Sequence, residues 1–429
     1  MQPNDIIKSS IAYIEQNLKT DISAEELASM AGYSVWHYQR LFAQTTGLSI
    51  AAFIGKRRLD RALGEIADGR RAIDVALEYG FDTYAGFYKA FVRVYGGSPK
   101  KTLSKTEVSV MYTENDLRKI LEIWDIPQKL PILDIYIMDG SKVSGNVWSV
   151  GEDFILKAGE KERMLKNLNV SKALSAQGFA ASTPISTKSG AEYLDDDKII
   201  VLTHGIKGNP LPKDDRFGDN RREFGFKYGE SIARLHNALA VIEPDIKPQE
   251  QNLYTHVTKW ALPEVKKQSY QYQMEVPNSF FENYISTFGD LFDKLPKQLI
   301  HRDPNPSNIL FDGDEVSGFI DFDLSERNVH LWDPCYCATG ILSEWRGVDG
   351  IYEKWPDILT GILQGYNSVN PLTDEEKQAV YYVICSIQMI CVAYFESVSE
   401  LKELAKTNRE MLQFIIEQEA KIKQLSNNL

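Results

Sequence analysis

The 429-residue sequence has no low-complexity tract, no long run of charges and few cysteines. The N-terminal residues MQPNDIIKSS lack the basic start and apolar core of a secretory signal. The longest uncharged stretch, residues 379–395, is shorter than the ~20 apolar residues of a membrane-spanning helix and predicts a buried helix instead. These absences favour a cytoplasmic protein without a membrane partner.

The cysteine pattern argues against a metal site. No spacing between the cysteines, and no nearby histidine, completes a zinc-type cluster, so the sequence favours reduced, partly buried thiols over metal binding. The cysteines are Cys335, Cys337, Cys385 and Cys391.

Length and charge predict more than one domain. A chain of this length exceeds one compact core, so two or three domains are expected. The net charge of −12 alone argues against a nucleic-acid partner, but the charge is uneven. Of the 48 basic and 60 acidic side chains, residues 1–105 hold 14 and 11, so a mildly basic segment precedes an acidic remainder. This asymmetry predicts separate partners for the two parts.

A helical pattern occurs twice in the N-terminal segment. Ser23 and Glu26 form a capping box before a short apolar helix, and a second helix is predicted over residues 35–44. The pattern recurs 48 residues later before the turn and 49 residues later after it. The matched positions are Ala28, Gly32, Tyr38, Phe42 and Gly47 in the first unit, and Ala76, Gly80, Phe87, Phe91 and Gly96 in the second. Each unit is predicted to be a helix-turn-helix, and a helix over residues 50–67 is predicted to hold the two at a fixed spacing.

The strings "GYSVWHYQRLFAQTTGLS" and "ALEYGFDTYAGFYKAFVRVYGGSPKK" resemble the AraC family of bacterial transcription regulators. The resemblance implies sequence-specific binding to double-stranded DNA through the exposed faces of two recognition helices. The positions that carry over are Trp36, His37, Gln39 and Arg40 in the first helix, and Tyr84, Ala85 and Lys89 in the second. Arginine suits guanine and glutamine suits adenine, whereas the second helix offers few hydrogen bonds and is expected mainly to grip the DNA backbone. Packing of Trp36 in the core is the alternative.

The periodicity changes after residue 105. The strings "ILDIYIM", "KVSGNVWSV" and "EDFILKAG" predict three strands after a short helix over residues 115–124, and the chain becomes mostly helical beyond Lys207. The predicted domains are therefore residues 1–105, then residues 106–206 with a connector helix and a small antiparallel sheet, then a helical lobe over residues 207–429.

The segment "LIHRDPNPSNILFDGDEVSGFIDFDLSERNVHLWDP" carries the strongest chemical signal. Four residues separate Asp303 from Asn308, and Asp321 ends an apolar strand. This order is typical of phosphoryl transfer, in which one carboxylate takes the proton of an acceptor hydroxyl while an amide and a second carboxylate hold Mg²⁺ against ATP. Asp303 fits the first role, and Asn308 and Asp321 fit the second. A plain polar hairpin is the alternative.

The same segment, together with "YGESIARLHNAL", resembles the aminoglycoside phosphotransferase superfamily, which includes choline and homoserine kinases. The resemblance covers residues 115–425. It implies that an all-α double helix-turn-helix domain precedes a two-lobed α+β protein-kinase-like fold, with Asp333 bracing the catalytic loop. His236 is expected to be a packed helix residue, and Arg302 stands where relatives more often carry glycine.

The resemblance also implies an ATP site. Lys157 occupies the position of the lysine that pairs with the α- and β-phosphates, and Glu162, or Glu160 beside it, is expected to fix that lysine. Gly140 and Gly145 fall in the phosphate loop, although they do not form a G-x-G-x-x-G motif. A solvated strand-end role for Lys157 is the alternative.

Three functions remain open from the sequence. The chain is a regulator that phosphorylates an unknown small molecule, a regulator that uses the kinase fold only as an effector sensor, or a small-molecule or antibiotic kinase with a vestigial DNA-binding head. Two tandem reading units let a monomer bind DNA, whereas AraC-type proteins often act as dimers, so a homodimer remains an alternative.

Overall fold

The computed structural model describes residues 3–46, 48–67, 70–81, 83–95, 112, 114–135, 146–196, 198–344, 350–398 and 401–429. Within it the chain divides into two compact units. The first comprises Met1–Glu160 and Pro184–Gly205, and the second comprises Lys161–Thr183 and Ile206–Leu429. The helix after residue 160 is grouped with the second unit. The bounds of the three domains expected from the sequence stay a prediction.

The N-terminal part of the first unit is entirely helical over the residues described. Ser23 caps the second helix by accepting a hydrogen bond from the Glu26 N–H, as predicted. The helix predicted over residues 50–67 has these bounds. The helices are α1 (Pro3–Gln16), α2 (Ala24–Ala31), α3 (Val35–Thr46), α4 (Ile50–Ala67), α5 (Ala72–Glu78) and α6 (Tyr84–Tyr95).

The internal repeat is confirmed by burial and backbone geometry. The two turn glycines, Gly32 and Gly80, have φ angles of 72° and 77°, in the left-handed region that glycine adopts without strain. The four aromatic residues matched between the units are all fully buried: Tyr38, Phe42, Phe87 and Phe91. Each unit therefore closes its turn with a glycine and anchors its second helix with two aromatic rings.

Arg57 and Arg58 of α4 form hydrogen bonds within the domain made by α1 to α6, which we call the head. Arg57 is almost fully buried and donates to Glu15 and Asp60, at 2.8 Å and 3.0 Å for two of its bonds. Arg58 donates to the backbone oxygens of Leu18 and Thr20. These bonds tie α1 to the helix that connects the two reading units, so Arg57 and Arg58 serve the fold of the head.

An antiparallel sheet forms the rest of the first unit. Its strand order is β1-β2-β3-β5-β4, and its apolar face packs on the helix α7 (Glu114–Leu121) around the buried Trp124 and Trp148. The strands are β1 (Ile132–Asp134), β2 (Asn146–Val150), β3 (Phe154–Gly159), β4 (Leu194–Asp195) and β5 (Ile199–His204). The three predicted strands are present, although residues 136–145 lie outside the described part.

The second unit is mostly helical. Short helical turns at Leu253–His256, Val257–Ala261, Asn278–Asn283, Tyr284–Phe288 and Gly289–Phe292 complete it. The other helices, of which α9 is a single turn, are α8 (Lys161–Ala176), α9 (Lys213–Arg216), α10 (Arg221–Ile246), α11 (Leu262–Gln271), α12 (Trp332–Leu342), α13 (Ile351–Val369), α14 (Asp374–Ser397), α15 (Lys402–Glu417) and α16 (Glu419–Asn427).

Two short antiparallel sheets interrupt the helices and carry the catalytic motif. One pairs β7 with β10, and the other has the order β6-β8-β9. The strands are β6 (Asn209–Pro210), β7 (Lys297–Ile300), β8 (Ile309–Asp312), β9 (Glu315–Phe319) and β10 (Glu326–Val329).

Helices α10 and α13 cross at very short range. A Cβ atom built on Gly229 would lie 1.9 Å from the Ile362 carbonyl oxygen, and one built on Gly365 would lie 2.0 Å from the Phe226 carbonyl oxygen. No side chain fits at either position, so the crossing depends on both glycines.

Helix α14 is long and apolar enough to span a membrane by length and composition, but 72% of its most apolar window is buried inside the unit. It is a core helix, as the uncharged stretch over residues 379–395 predicted.

Candidate functional site

The catalytic loop holds Asp303 between two asparagines. Asn305 donates from Nδ2 to Asp303 Oδ1 at 2.9 Å. Asn308 donates from its Nδ2 to the Asp303 carbonyl oxygen at 2.9 Å and to Oδ2 at 3.2 Å, and its own Oδ1 takes no part in these bonds. The carboxylate is therefore fixed in one orientation before any substrate arrives.

His301 connects this loop to the strand that leads to Asp321. Its Nε2 donates to the Ile320 carbonyl oxygen at 2.9 Å, so its Nδ1 carries no proton and accepts the Asp303 N–H at 3.3 Å. The Ile320 N–H in turn donates to the Asn308 carbonyl oxygen at 3.0 Å. Hydrogen bonds thus bring the predicted residues Asp303, Asn308 and Asp321 into one constellation.

Asp321 has a left-handed backbone with φ 67° and ψ 61°, which costs a non-glycine residue about 1–2 kcal/mol. The next residue stabilises this turn, because the Phe322 N–H donates to Asn167 Oδ1 at 2.8 Å and its ring packs 4.7 Å from the His301 ring. Backbone strain of this kind persists where its surroundings enforce it, and it clusters at functional sites.

The surroundings of Asp303 favour proton uptake. Burial raises the pKa of the Asp303 carboxyl group and the charge of Asp321 adds to this effect, whereas hydrogen bonds from Asn305 and Tyr336 lower the pKa. The net shift is upward, so Asp303 is a stronger base than a carboxylate in water. A general base gains from such a shift towards the working pH.

Asp333, at the start of α12, holds the backbone of the catalytic loop by hydrogen bonds. It is fully buried, and it accepts the His301 N–H on Oδ2 at 2.8 Å and the Arg302 N–H on Oδ1 at 3.0 Å. The Nε2 of His236 donates to the same Oδ2 at 2.8 Å. Asp333 therefore has the bracing position that the resemblance implied, and His236 is the packed helix residue that was expected.

The residues predicted to bind ATP lie in an earlier part of the chain than the loop that contains Asp303. Lys157 is half-buried in the middle of β3, opposite Val147 on β2 and Val201 on β5, while Glu160 and Glu162 are both exposed. The pairing of Lys157 with either glutamate stays a prediction. Gly140 and Gly145 lie outside the described residues.

The predicted DNA-contacting side chains are exposed on the two recognition helices, α3 and α6. They are Trp36, His37, Gln39, Arg40, Tyr84, Ala85 and Lys89. Trp36 is 70% exposed and the Arg40 guanidinium lies 5.9 Å from its ring, so the alternative that Trp36 packs in the core is wrong. Contact of these side chains with bases or phosphates stays a prediction.

Sequence reasoning missed three residues that contact the candidate site. Asn305 and Tyr336 both act on Asp303, and Asn167 holds the turn after Asp321. Asn305 lies within the motif and could have been identified from its position two residues after Asp303. Asn167 is separated from its partner by 155 residues and carries no local signal.

Comparison with known proteins identifies both parts of the chain. The model of a family described as "Phosphotransferase enzyme family" matches residues 140–367, more than half of the chain, and a family described as "Helix-turn-helix domain" matches residues 27–105. The chain belongs to the phosphotransferase enzyme family, with an AraC-type DNA-binding domain at its N-terminus. The fold class predicted from the sequence is confirmed.

The curated relatives match the N-terminal domain. The TetD protein of transposon Tn10 in Escherichia coli is 35% identical over 95 residues, which is 22% of this chain and 69% of TetD. The transcriptional regulator Rob of Salmonella typhimurium is 34% identical over 119 residues, 28% of this chain and 41% of Rob. The chain thus spans less than half the length of Rob.

Solved structures match the remainder in fold. An aminoglycoside phosphotransferase from Alicyclobacillus acidocaldarius has a TM-score of 0.53 at 14% identity, covering 76% of this chain and all of that one. The amicoumacin kinase hAmiN, solved with AMP-PNP, Ca²⁺ and Ami, has a TM-score of 0.50 at 15% identity, covering 72% of this chain and 95% of that one.

Proposed function

We propose that this chain is a cytoplasmic, sequence-specific DNA-binding transcription regulator whose C-terminal domain binds Mg²⁺-ATP and phosphorylates a hydroxyl group of a small molecule. The observation that carries the proposal is the hydrogen-bonded constellation of Asp303, Asn308 and the turn at Asp321. An unreactive polar hairpin would need neither the orientation of the Asp303 carboxylate nor the left-handed turn at Asp321.

The donor set suits Mg²⁺. Asn308 donates to Asp303 through its side-chain nitrogen Nδ2, so its side-chain oxygen Oδ1 can face a metal ion, and Asp321 adds a carboxylate. Among the described residues no group of three or more His, Cys, Asp or Glu side chains forms a metal cage. Mg²⁺ typically takes one or two protein oxygens and completes its shell with water and phosphate oxygens. Bound there, Mg²⁺ would neutralise charge that develops on the transferred phosphoryl group.

Asp303 supplies the proton chemistry in this proposal. Its carboxylate accepts the proton of the acceptor hydroxyl, and the hydroxyl oxygen forms a bond to the γ-phosphorus of ATP as the bond from that phosphorus to the β–γ bridging oxygen breaks and ADP leaves. Asn305 and Asn308 each donate a hydrogen bond to one of the two carboxylate oxygens, so the carboxylate is already oriented when the acceptor binds. The upward pKa shift from burial makes proton uptake more favourable.

The ATP side rests on residues carried over from the family. We propose that Lys157 pairs with the α- and β-phosphates, that Glu162 or Glu160 fixes it, and that Gly140 and Gly145 belong to the phosphate loop. The position of Lys157 within a paired strand gives it a rigid base. The AMP-PNP and Ca²⁺ in the hAmiN structure support nucleotide binding by this fold and do not bear on the individual residues.

Nucleotide binding is tested by thermal shift of the full chain with ATP, with and without Mg²⁺. A bound ligand raises the unfolding temperature by mass action. We expect Mg²⁺-ATP to stabilise the wild-type protein and to stabilise Asp321→Asn much less. Asp323→Asn is the matched control, because Asp323 lies in the same short turn and has no metal role here. Equal stabilisation of all three proteins would contradict the metal assignment.

The DNA-binding head supports a second candidate function, in which ligand binding alone regulates transcription. The N-terminal domain has its own buried hydrophobic core, and the predicted DNA-contacting side chains are exposed on its surface. These features favour a regulatory role for this domain over a vestigial one. In this case, small-molecule or nucleotide binding shifts the affinity of the head for its operator. Operator binding measured with and without Mg²⁺-ATP and acceptor tests it, and identical affinities would exclude it. Whether the chain binds as a monomer or as a homodimer is tested by the stoichiometry of the same complex.

A further inference from the structure

A continuous chain of buried hydrogen bonds runs from the catalytic-loop brace to the start of α14. Asp333 Oδ2 contacts His236 Nε2 at 2.8 Å, and His236 Nδ1 contacts the Tyr366 hydroxyl at 2.7 Å. The same hydroxyl contacts His330 Nδ1 at 2.6 Å, and His330 Nε2 is hydrogen-bonded to Glu376 Oε1. All five side chains are buried. We refer to Asp333, His236, Tyr366, His330 and Glu376 as the relay.

Counting protons shows that the relay carries one more than neutral side chains provide. Each of the four contacts needs one proton between its two heavy atoms. With both carboxylates ionised, one proton on each neutral imidazole and one on the Tyr366 hydroxyl supply three. The fourth proton must therefore convert one histidine to the imidazolium form, since the alternative is a protonated carboxyl group.

The environment locates the fourth proton on His330. Asp333 already accepts two backbone N–H bonds besides the bond from His236, so both of its oxygens act as acceptors. Burial lowers the pKa of His236, and although Asp333 opposes this, the net shift is downward, so His236 stays neutral. Burial alone would raise the pKa of Glu376, but the bond from His330 and the helix cap at Thr373 outweigh it, so Glu376 is ionised.

We propose that His236, Tyr366, His330 and Glu376 are positioning residues of the phosphotransferase, and that a buried His330 imidazolium paired with Glu376 fixes the direction of every hydrogen bond in the relay. With His330 charged, its Nδ1 donates to Tyr366, and Tyr366 must donate to His236 Nδ1. His236 then presents only its Nε2–H to Asp333, which keeps that carboxylate ionised beneath the catalytic loop. The inference rests on the proposed function for its catalytic consequence, but not for its protonation pattern.

The relay joins parts of the fold that local sequence does not connect. His236 lies on α10, Tyr366 on α13 and Glu376 in the first turn of α14, while Asp333 opens α12. Glu376 also closes the capping box of α14 with Thr373. Other polar groups facing the relay are Asn370 near Tyr366, Cys335 near Tyr366 and His301 near His236. A change at Glu376 is therefore transmitted to Asp333 through His330, Tyr366 and His236.

The test uses the full chain with selectively ¹⁵N-labelled histidine. The sequence has only six histidines, so substitutions of His236 and His330 assign their ring signals, and the label also reports the backbone N–H of His301, which Asp333 accepts. We expect both His330 nitrogens to be protonated at neutral pH, and His236 to be protonated at Nε2 alone. The presence of neutral imidazole at both positions would overturn the proposal.

Two variants separate charge from packing. Glu376→Gln removes the charge and keeps a single oxygen, which can accept the Thr373 N–H of the helix cap, while its amide group donates to His330 Nε2, so we expect His330 to lose one proton. Tyr366→Phe removes only the hydroxyl, so we expect the His301 N–H signal to move. Tyr381→Phe is the control, because Tyr381 is equally buried on α14 and its hydroxyl has no hydrogen-bond partner among the described residues. A His301 signal that is unchanged in Tyr366→Phe would overturn the proposal.

Kinetics add a second readout. Because outer residues that orient a catalytic group are worth roughly tenfold to a hundredfold in activity, we expect kcat to fall about tenfold in Tyr366→Phe, with an unchanged KM for ATP. A kcat equal to that of Tyr381→Phe would overturn the positioning role. If the wild-type chain transfers no phosphoryl group, the proposed function fails, and the nitrogen spectra alone decide the relay.

Discussion

The Arg302 guanidinium carbon lies over the ring of Trp332, 3.4 Å from the ring centroid. The Trp332 indole N–H donates to the Arg302 carbonyl oxygen at 2.9 Å, and Arg302 Nε contacts Glu326 at 2.8 Å. Arg302 has a φ angle of 77°, a conformation that glycine adopts without strain. Arginine is therefore tolerated at a backbone conformation that favours glycine, because the stacking and the ion pair offset the strain of the backbone.

This balance predicts an unusual order of stability. Arg302→Ala loses the stacking and the ion pair and keeps the strained backbone, whereas Arg302→Gly loses the same contacts but relieves the strain. We expect Arg302→Gly to have a free energy of unfolding about 1 kcal/mol higher than that of Arg302→Ala. Urea unfolding of the two variants and the wild type measures the difference. A glycine variant less stable than the alanine variant would show that the left-handed backbone is not strained.

The crossing of α10 and α13 predicts a sharp contrast between two glycine substitutions. Gly365→Ala places a methyl group 2.0 Å from a backbone oxygen, so the helices must separate, and we expect a loss of about 2–3 kcal/mol in unfolding free energy. Gly55→Ala in α4 meets nothing within 4 Å and should gain about 0.5–1 kcal/mol. Thermal unfolding of both variants checks this, and similar behaviour of the two would contradict the close crossing.

An ion cluster at Glu396 predicts a defined pH dependence. Burial alone would raise the pKa of this carboxyl group, but hydrogen bonds from Lys402, Tyr272 and Arg409 lower it to about 2. A lowered pKa stabilises the folded state above the ordinary value near 4.5, and this contribution is lost as the pH falls towards 2. We expect Glu396→Gln to melt at a lower temperature than wild type at pH 7, with the two melting curves converging between pH 4.5 and 2. A constant difference across that range would contradict the shift.

The two reading units predict different responses to substitution. Arg40 is exposed on the first recognition helix beside Trp36, and its loss should cost about 1–3 kcal/mol at the matching base pair and relax specificity there. Lys89→Ala on the second helix should weaken binding uniformly across sequences and reduce the salt dependence of log K by about one. Binding to operator variants at several salt concentrations separates the two effects. A change of base preference in Lys89→Ala would contradict the assignment of the second unit to the DNA backbone.

Local signals in the sequence predicted much of the fold. Gly32 and Gly80, with aromatic residues at matched distances, established the repeat because turns and buried positions depend on neighbours within a few residues. The motif from Asp303 to Asp321 predicted the catalytic loop for the same reason, since its parts lie within one short hairpin.

The remainder depends on contacts between distant segments. The bond from Tyr366 to His236 joins residues 130 apart, and no local pattern distinguishes either from an ordinary buried residue of its helix. The N-terminal domain shows the same limit, because Arg57 is buried against Glu15, 42 residues away. Such partners are set by how helices pack, which short-range periodicity does not encode.

We propose that this DNA-binding chain carries a working phosphotransferase domain, which the family match places over residues 140–367. The most direct measurement is transfer of the labelled γ-phosphate of ATP, in Mg²⁺, to a panel of amino alcohols, amino sugars and aminoglycosides by the purified full chain. We predict transfer to at least one acceptor by the wild type and a loss of at least about a hundredfold in kcat for Asp303→Asn, which keeps the shape of the side chain but removes the base. Transfer that is equal in Asp303→Asn, or absent from the wild type with every acceptor, would contradict the account.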